Sequence, residues 1–249
     1  MKVGLIGFGK TGKAVASVVL EKPDICLEWV IRKSRKLEHR SVPEFFGVES
    51  KEPGLIYSSS EFTAEQLFDQ FPVDAIIDFS SQDGVRYYGR AAADREISIV
   101  SAISHIDPSI LEFLQELSLK TRVLWSPNIT VGINFLIAAA KILQSIAPGI
   151  DIEIVEEHFR QKPGVSATAI RITDELGIDS RTINSIRAGG IIGTHEVLFG
   201  FPFQTVRLKH ESIAREAFGT GAVFALEHLQ KFPIGFYRME EMMKPYFGQ

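Results

Sequence analysis

Cysteine is almost absent: Cys26 is the only one in 249 residues. One thiol excludes an intramolecular disulfide and suits a reducing compartment, so a cytoplasmic protein is expected. Cys26 lies in the apolar run Ile25-Cys26-Leu27, where its expected role is buried filler. Long hydrophobic runs are missing as well. No apolar stretch reaches the ~20 residues that a membrane helix needs, and the opening residues run straight into a strand pattern, so no signal peptide is expected. There is no excess of positive charge either. The 27 Lys and Arg stand against 31 Asp and Glu, a net charge of −4, so no domain-wide basic field is available for nucleic acid. No Cys/His/acid cluster has zinc spacing, and no metal is expected. What is present is an ordinary globular composition, 45% hydrophobic and 23% charged, enough for one large domain or two modest ones.

The first half alternates strand and helix signals. Strand patterns cover Lys2 to Ile6, Leu27 to Ile31, Asp74 to Phe79, Ile97 to Val100 and Val123 to Trp125. Helical patterns cover Lys13 to Leu20, Gly84 to Ala93 and Ser109 to Leu119, the last opened by Asp107-Pro108. Repeated β-α-β predicts a Rossmann-like, doubly wound parallel sheet. The pattern changes after Ser126-Pro127-Asn128. A long apolar helix spans Asn134 to Ala147. Strands follow at Ile152 to Val155, Thr182 to Ala188, Glu196 to Phe201 and Gln204 to His210, then a helix at Ala214 to Leu229. This half reads as an α+β domain with an open mixed sheet. The fold class is therefore α/β. Residues 1–126 form a dinucleotide-binding domain, 127–235 a substrate-binding and oligomerisation domain, and 236–249 return to the first.

Gly7-Phe8-Gly9-Lys10-Thr11-Gly12 fits G-x-G-x-x-G after a strand and before a helix. Such a turn brings backbone N–H groups and a helix N-terminus to a pyrophosphate. About 20 residues on, where an acid would bind a ribose 2′-hydroxyl, the chain carries Arg32-Lys33-Ser34-Arg35. Cations there suit a 2′-phosphate, which favours NADPH and leaves NADH as the alternative; a solvated charge run is the competing explanation. The second chemical signal is Glu156-Glu157-His158-Phe159-Arg160-Gln161-Lys162, which follows an alternating strand. A histidine titrates in the range a proton donor needs, and a lysine supplies a fixed positive charge. On a strand only one of Glu156 and Glu157 shares the face of His158. Combined with a hydride carrier, these groups suit reduction of an anionic C=N or C=C substrate.

Five motifs in order resemble the dihydrodipicolinate reductase family over nearly the whole chain. They are the Gly7 to Gly12 turn, Ile77-Asp78-Phe79-Ser80, Ser126 to Asn134, Glu156 to Lys162, and the Arg187-Ala188-Gly189 to Gly193-Thr194-His195 block. The resemblance implies NAD(P)H-dependent reduction of (hydroxy-tetra)dihydrodipicolinate in lysine and diaminopimelate biosynthesis, by a homotetramer assembled through the second sheet. It implies His158 as proton donor and Lys162 as the cation that binds and polarises substrate. It adds Phe79, Ser80, Ser101, Ser126 and Asn128 to the cofactor site, and Phe159, Ser166, Ala167, Thr168 and Arg187 to the site for a cyclic dicarboxylate. Arg187 has two open roles, contact with substrate or support of its loop. His195 and His210 are expected to satisfy strand or interface hydrogen bonds.

The chain departs from the family pattern at several positions. Phe159 replaces the second histidine of a pair, Ala167 replaces a glycine, and Ser101-Ala102-Ile103-Ser104 replaces a Gly-Thr-Thr-Gly turn. These changes keep two alternatives open, a reductase of a different imine or unsaturated acid and a non-catalytic NADPH-binding paralogue.

Overall fold

The computed structural model describes residues 1–50 and 52–247. Its strands are β1 (Lys2–Ile6), β2 (Cys26–Arg32), β3 (Leu55–Ser58), β4 (Ala75–Asp78), β5 (Ser98–Ser101), β6 (Arg122–Trp125), β7 (Asp151–His158), β8 (Ile183–Arg187), β9 (Thr194–Phe201), β10 (Gln204–Glu211) and β11 (Gly235–Tyr237). Its helices are α1 (Lys10–Leu20), α2 (Val42–Phe46), α3 (Ala64–Gln70), α4 (Gln82–Ala93), α5 (Pro108–Leu117), α6 (Val131–Ile146), α7 (Ala167–Leu176), α8 (Glu216–Leu229) and α9 (Met239–Met243). The chain divides into two compact units, Met1–Thr130 with the residues from Phe218 onward, and Val131–Ala217.

The first unit is built on a seven-stranded sheet of order β11-β6-β5-β4-β1-β2-β3, parallel throughout. The four residues of β4 and the four of β5 are all buried, the mark of strands covered on both faces. The strand order reverses between β1 and β4, and the open end of that switch point is where α/β sheets hold ligands. Helix ends follow local chemistry. Thr63 and Gln66 form a reciprocal capping box on α3, and Asp107-Pro108 opens α5. Helix α8 packs in this unit: a Cβ on Gly219 would lie only 2.8 Å from Val18 of α1. The unit therefore resumes at Phe218, where the sequence reading resumes it at 236. Strand β11 then adds to the sheet edge beside β6. Gly248 and Gln249, the last residues of that returning segment, lie outside the described residues.

The second unit is a four-stranded mixed sheet of order β10-β9-β7-β8. β9 pairs antiparallel with β10 and β7, while β8 lies parallel to β7 on the far edge. Strand β7 alternates outward and inward residues, with Ile152, Ile154, Glu156 and His158 buried. Ile152 and Ile154 pair in register with Phe199 and Val197, and Ile133, Leu136 and Ile137 of α6 join them in the core with Ile172 and Leu176 of α7. Each such side chain contributes roughly 1.5–3 kcal/mol through burial. Further along the same face the residues turn polar, and the candidate chemistry begins there.

Candidate active site

In the first unit the β1–α1 turn lies against the β4–α4 turn. Gly7 has φ +97°, and a Cβ on it would stand 2.7 Å from the Phe79 carbonyl oxygen and 3.0 Å from the Ser80 nitrogen. Only glycine fits there. Gly9 differs: its φ of −80° suits any residue, and no heavy atom lies within 4 Å of where its Cβ would be. The protein's own packing thus gives Gly9 no reason to be glycine. Its exposed backbone stands at the N-terminus of α1, whose unpaired N–H groups and dipole favour an anion.

Two depressions flank this turn. One, of about 130 Å³, is lined by Gly7, Ile31, Arg32, Lys33 and Ser59. The other, of about 580 Å³, is lined by Thr11, Phe79, Ala102, Ser104 and His105 among others, and Ser80 and Asp83 line both. Ser80 is held from below. Its N–H and Oγ donate to Asp78 Oδ1 at 2.8 and 2.6 Å, and Tyr88 donates to Oδ2 at 2.8 Å. Complete burial pushes the Asp78 carboxyl up to about 6 against those hydrogen bonds. Arg32 Nη1 donates to the Lys36 carbonyl at 2.7 Å, and Lys33 pairs with Asp83 at 3.2 Å on the surface. Of the other residues expected here, Phe8, Gly12, Ser101 and Ser126 are buried. Phe8 packs edge-on against Phe45, and Ser126 Oγ donates to the carbonyl of half-buried Asn128. Ala102, Pro127 and Ile129 line the cleft beside Ser101, Ser126 and Asn128.

In the second unit, register gathers the polar residues. Glu156 pairs with His195 of β9 and with Ser185 of β8, and His158 pairs with Arg187 of β8. Glu156 Oε2 lies 2.5 Å from His158 Nδ1. Ser185 Oγ donates to Glu156 Oε1 at 2.6 Å, and the Arg187 guanidinium spans both carboxylate oxygens at 3.0 and 2.5 Å. The remaining Arg187 N–H groups donate to the carbonyls of Lys162, Gly164 and Ile186. All five guanidinium donors are thereby engaged by the protein. Of the two roles left open for Arg187, the geometry matches support of the loop.

Ser166 caps α7: its Oγ accepts from the Thr168 N–H at 3.2 Å and lies 2.9 Å from His195 Nε2. Ala167 and Thr168 form the first turn of that helix, Lys162 sits half-buried in the turn after β7, and Phe159 is 40% exposed. The His158 and His195 rings meet edge-on at 5.3 Å. Burial would raise the Glu156 carboxyl, but the hydrogen bonds from Arg187, Ser185 and His158 hold it at about 2. Burial lowers His158, aided by Lys162 and Arg187 and opposed by Glu156. Burial also takes His195 down to about 3, so it is neutral at physiological pH.

From sequence, Glu156 stands only as a neighbour of His158, His195 is expected in strand or interface hydrogen bonds, and Ser185 carries no signal. The usable signal was the i, i+2 spacing of Glu156 and His158 on a strand, which puts both on one face. Apart from these residues, Glu38, His39 and Glu61 bring carboxylate and imidazole atoms within 4.8 Å of one another, with His39 Nε2 already 2.8 Å from Glu61.

Known proteins match both units. Residues 1–129 match the family described as dihydrodipicolinate reductase, N-terminus, and residues 129–243 its C-terminus. A 4-hydroxy-tetrahydrodipicolinate reductase of Caldanaerobacter subterraneus is 30% identical, covering 95% of each chain. One from Thermosipho africanus is 27% identical over 99% of this chain and all of its own. The dipicolinate-bound dihydrodipicolinate reductase of Paenisporosarcina sp. TG-14 superposes with a TM-score of 0.77 at 18% identity, covering 96% of this chain and 97% of that one. The chain belongs to the dihydrodipicolinate reductase family, NAD(P)H-dependent oxidoreductases of lysine and diaminopimelate biosynthesis.

Proposed function

We propose that this protein reduces 4-hydroxy-tetrahydrodipicolinate to tetrahydrodipicolinate, with NADPH preferred over NADH. The observation that carries the reading is the grouping of His158, Lys162 and the N-terminus of α7 at the polar end of the second sheet. Reduction consumes one hydride and one proton, and the 4-hydroxyl group leaves as water. When bound, the reduced nicotinamide supplies the hydride. The residues of the first unit fit such a cofactor: Gly9 leaves its backbone open beside the α1 N-terminus, and Arg32 and Lys33 line the adjoining depression. Two cations there suit a 2′-phosphate.

His158 supplies the proton, and Lys162 offers fixed positive charge to a carboxylate or ring nitrogen. Ser166 and Thr168, at the N-terminus of α7 where the helix dipole favours an anion, suit a second carboxylate. Replacing His158 with Ala should lower kcat by about 10²–10⁴ while leaving NADPH affinity unchanged; equal turnover in the variant would remove His158 from the reaction.

A cytoplasmic homotetramer is part of this reading. Ile186, 45% exposed on β8, and the fully exposed Phe203 support self-association of the second unit. Light scattering at four times the chain mass supports it, and a monomer mass overturns it. Exposed Phe159, standing beside His158 where the family pattern has histidine, favours a second reading, reduction of a related imine with a less polar substituent.

A further inference from the structure

Glu156 is fully buried, ionised, and held by groups of the protein itself. Arg187 holds both of its oxygens, Ser185 donates to one of them, and the Ser166 N–H approaches the same oxygen at 3.4 Å. A carboxylate accepts hydrogen bonds and cannot donate them. The His158 nitrogen facing it at 2.5 Å, Nδ1, must therefore carry a hydrogen. Among the described residues, Nε2 makes no hydrogen bond. It faces Gly193, and a Cβ on Gly193 would lie 3.0 Å from Nε2, closer than carbon normally sits to nitrogen.

We infer that Glu156, anchored by Arg187, is the positioning residue for His158. It keeps the proton on Nδ1 and leaves Nε2, in the space kept by Gly193, as the atom that gives its proton to the substrate. This rests on the reading of His158 as proton donor. After transfer, neutral His158 keeps its Nδ1–H on Glu156, and Nε2 is left with the lone pair that takes up the next proton. The ring need not turn over between cycles. No carboxylate of this group is protonated at any stage.

The groups facing His158 are Glu156 on its own strand, Arg187 on β8, His195 on β9 and Lys162 in the following turn. Arg187 and Lys162 disfavour the imidazolium, His195 is neutral, and Glu156 is the one group that favours it. A proton donor works only while protonated, so kcat falls as pH rises through the pKa of His158. Loss of the Glu156 charge lowers that pKa and moves the fall to lower pH, by about 1–2 units.

The test starts with ¹⁵N NMR of histidine-labelled protein. The wild type should show neutral His158 as the Nδ1–H tautomer, and an Nε2–H tautomer overturns the inference with no variant involved. Glu156→Gln should mix the tautomers and shift the alkaline limb of kcat to lower pH. An unshifted limb, with the wild-type tautomer retained, overturns the positioning role. His158→Gln serves as the control for the underlying reading. If it keeps the alkaline limb and the turnover, the proton-donor assignment fails. If it loses them while Glu156→Gln behaves as wild type, only the positioning role fails. Gly193→Ala should keep the tautomer and lower kcat at least tenfold; unchanged kcat overturns the role given to Gly193.

Discussion

Arg187 grips both oxygens of Glu156 across neighbouring parallel strands, in the two-pronged geometry that matches a guanidinium to a carboxylate. The pair is held within the polar end of an otherwise apolar sheet face. Removing one partner of such a pair leaves an uncompensated charge inside the protein. Arg187→Ala should therefore destabilise the second unit by about 3–5 kcal/mol.

That loss has a defined pH dependence. The Glu156 carboxyl is held at about 2 in the folded chain against an ordinary 4.5. Its folded-state pKa is depressed, so its contribution is complete above the ordinary value and disappears as pH falls towards about 2. The gap between wild type and Arg187→Ala, measured by circular dichroism melts, should be widest near neutral pH and shrink below pH ~4.5. A gap that is constant across this window would contradict the role of the ion pair.

Gly7 and Gly9 belong to one motif but differ in what requires them. Gly7→Ala forces a side chain into a left-handed backbone against Phe79, so the melting temperature should drop and NADPH binding fail with it. Gly9→Ala meets no protein atom and should melt as wild type, while NADPH affinity falls at least about tenfold because the phosphate loses its close approach. Fluorescence titration with NADPH, paired with a melt, separates the two. Undiminished affinity in Gly9→Ala would place the pyrophosphate elsewhere.

The proposed preference for NADPH rests on Arg32 and Lys33, which line the depression beside Gly7. Replacing them with Glu and Ala should shift the ratio of kcat/KM for NADPH over NADH by about tenfold or more towards NADH. Lys33 already pairs with Asp83, so the larger share of the shift is expected from Arg32. An unchanged ratio would return the run to the status of a solvated surface.

Much of the first unit was readable because its strands are short apolar runs ending at glycine or polar turns, as at Ile6-Gly7 and Asp78 to Ser80. Strand β3 escaped because Leu55 to Ser58 is an edge strand set between the turn-like runs Pro53-Gly54 and Ser58-Ser59-Ser60. Helix α7 was hidden behind the ligand-loop pattern at Ser166 to Thr168, although Ser166 as N-cap and Gly177, at φ +63°, mark its two ends. Its β-branched Thr168, Ile170, Ile172 and Thr173 weaken a helical signal further. The Glu156–Arg187 pair joins residues 31 apart through the β7–β8 register, which no local pattern specifies.

Phe159 is the departure most open to test. Phe159→His restores a polar ring at an exposed position beside His158 and should cost little stability. It should lower KM for the dicarboxylate substrate, read from initial rates. An unchanged KM would mean that residue 159 makes no contact with substrate.

The most direct measurement is NADPH oxidation, followed by its near-ultraviolet absorbance, with 4-hydroxy-tetrahydrodipicolinate generated in place by a coupled synthase. On the reading that His158 donates the proton, turnover should depend on the synthase and fall by about 10²–10⁴ in His158→Ala. NADPH binding without synthase-dependent oxidation would contradict it.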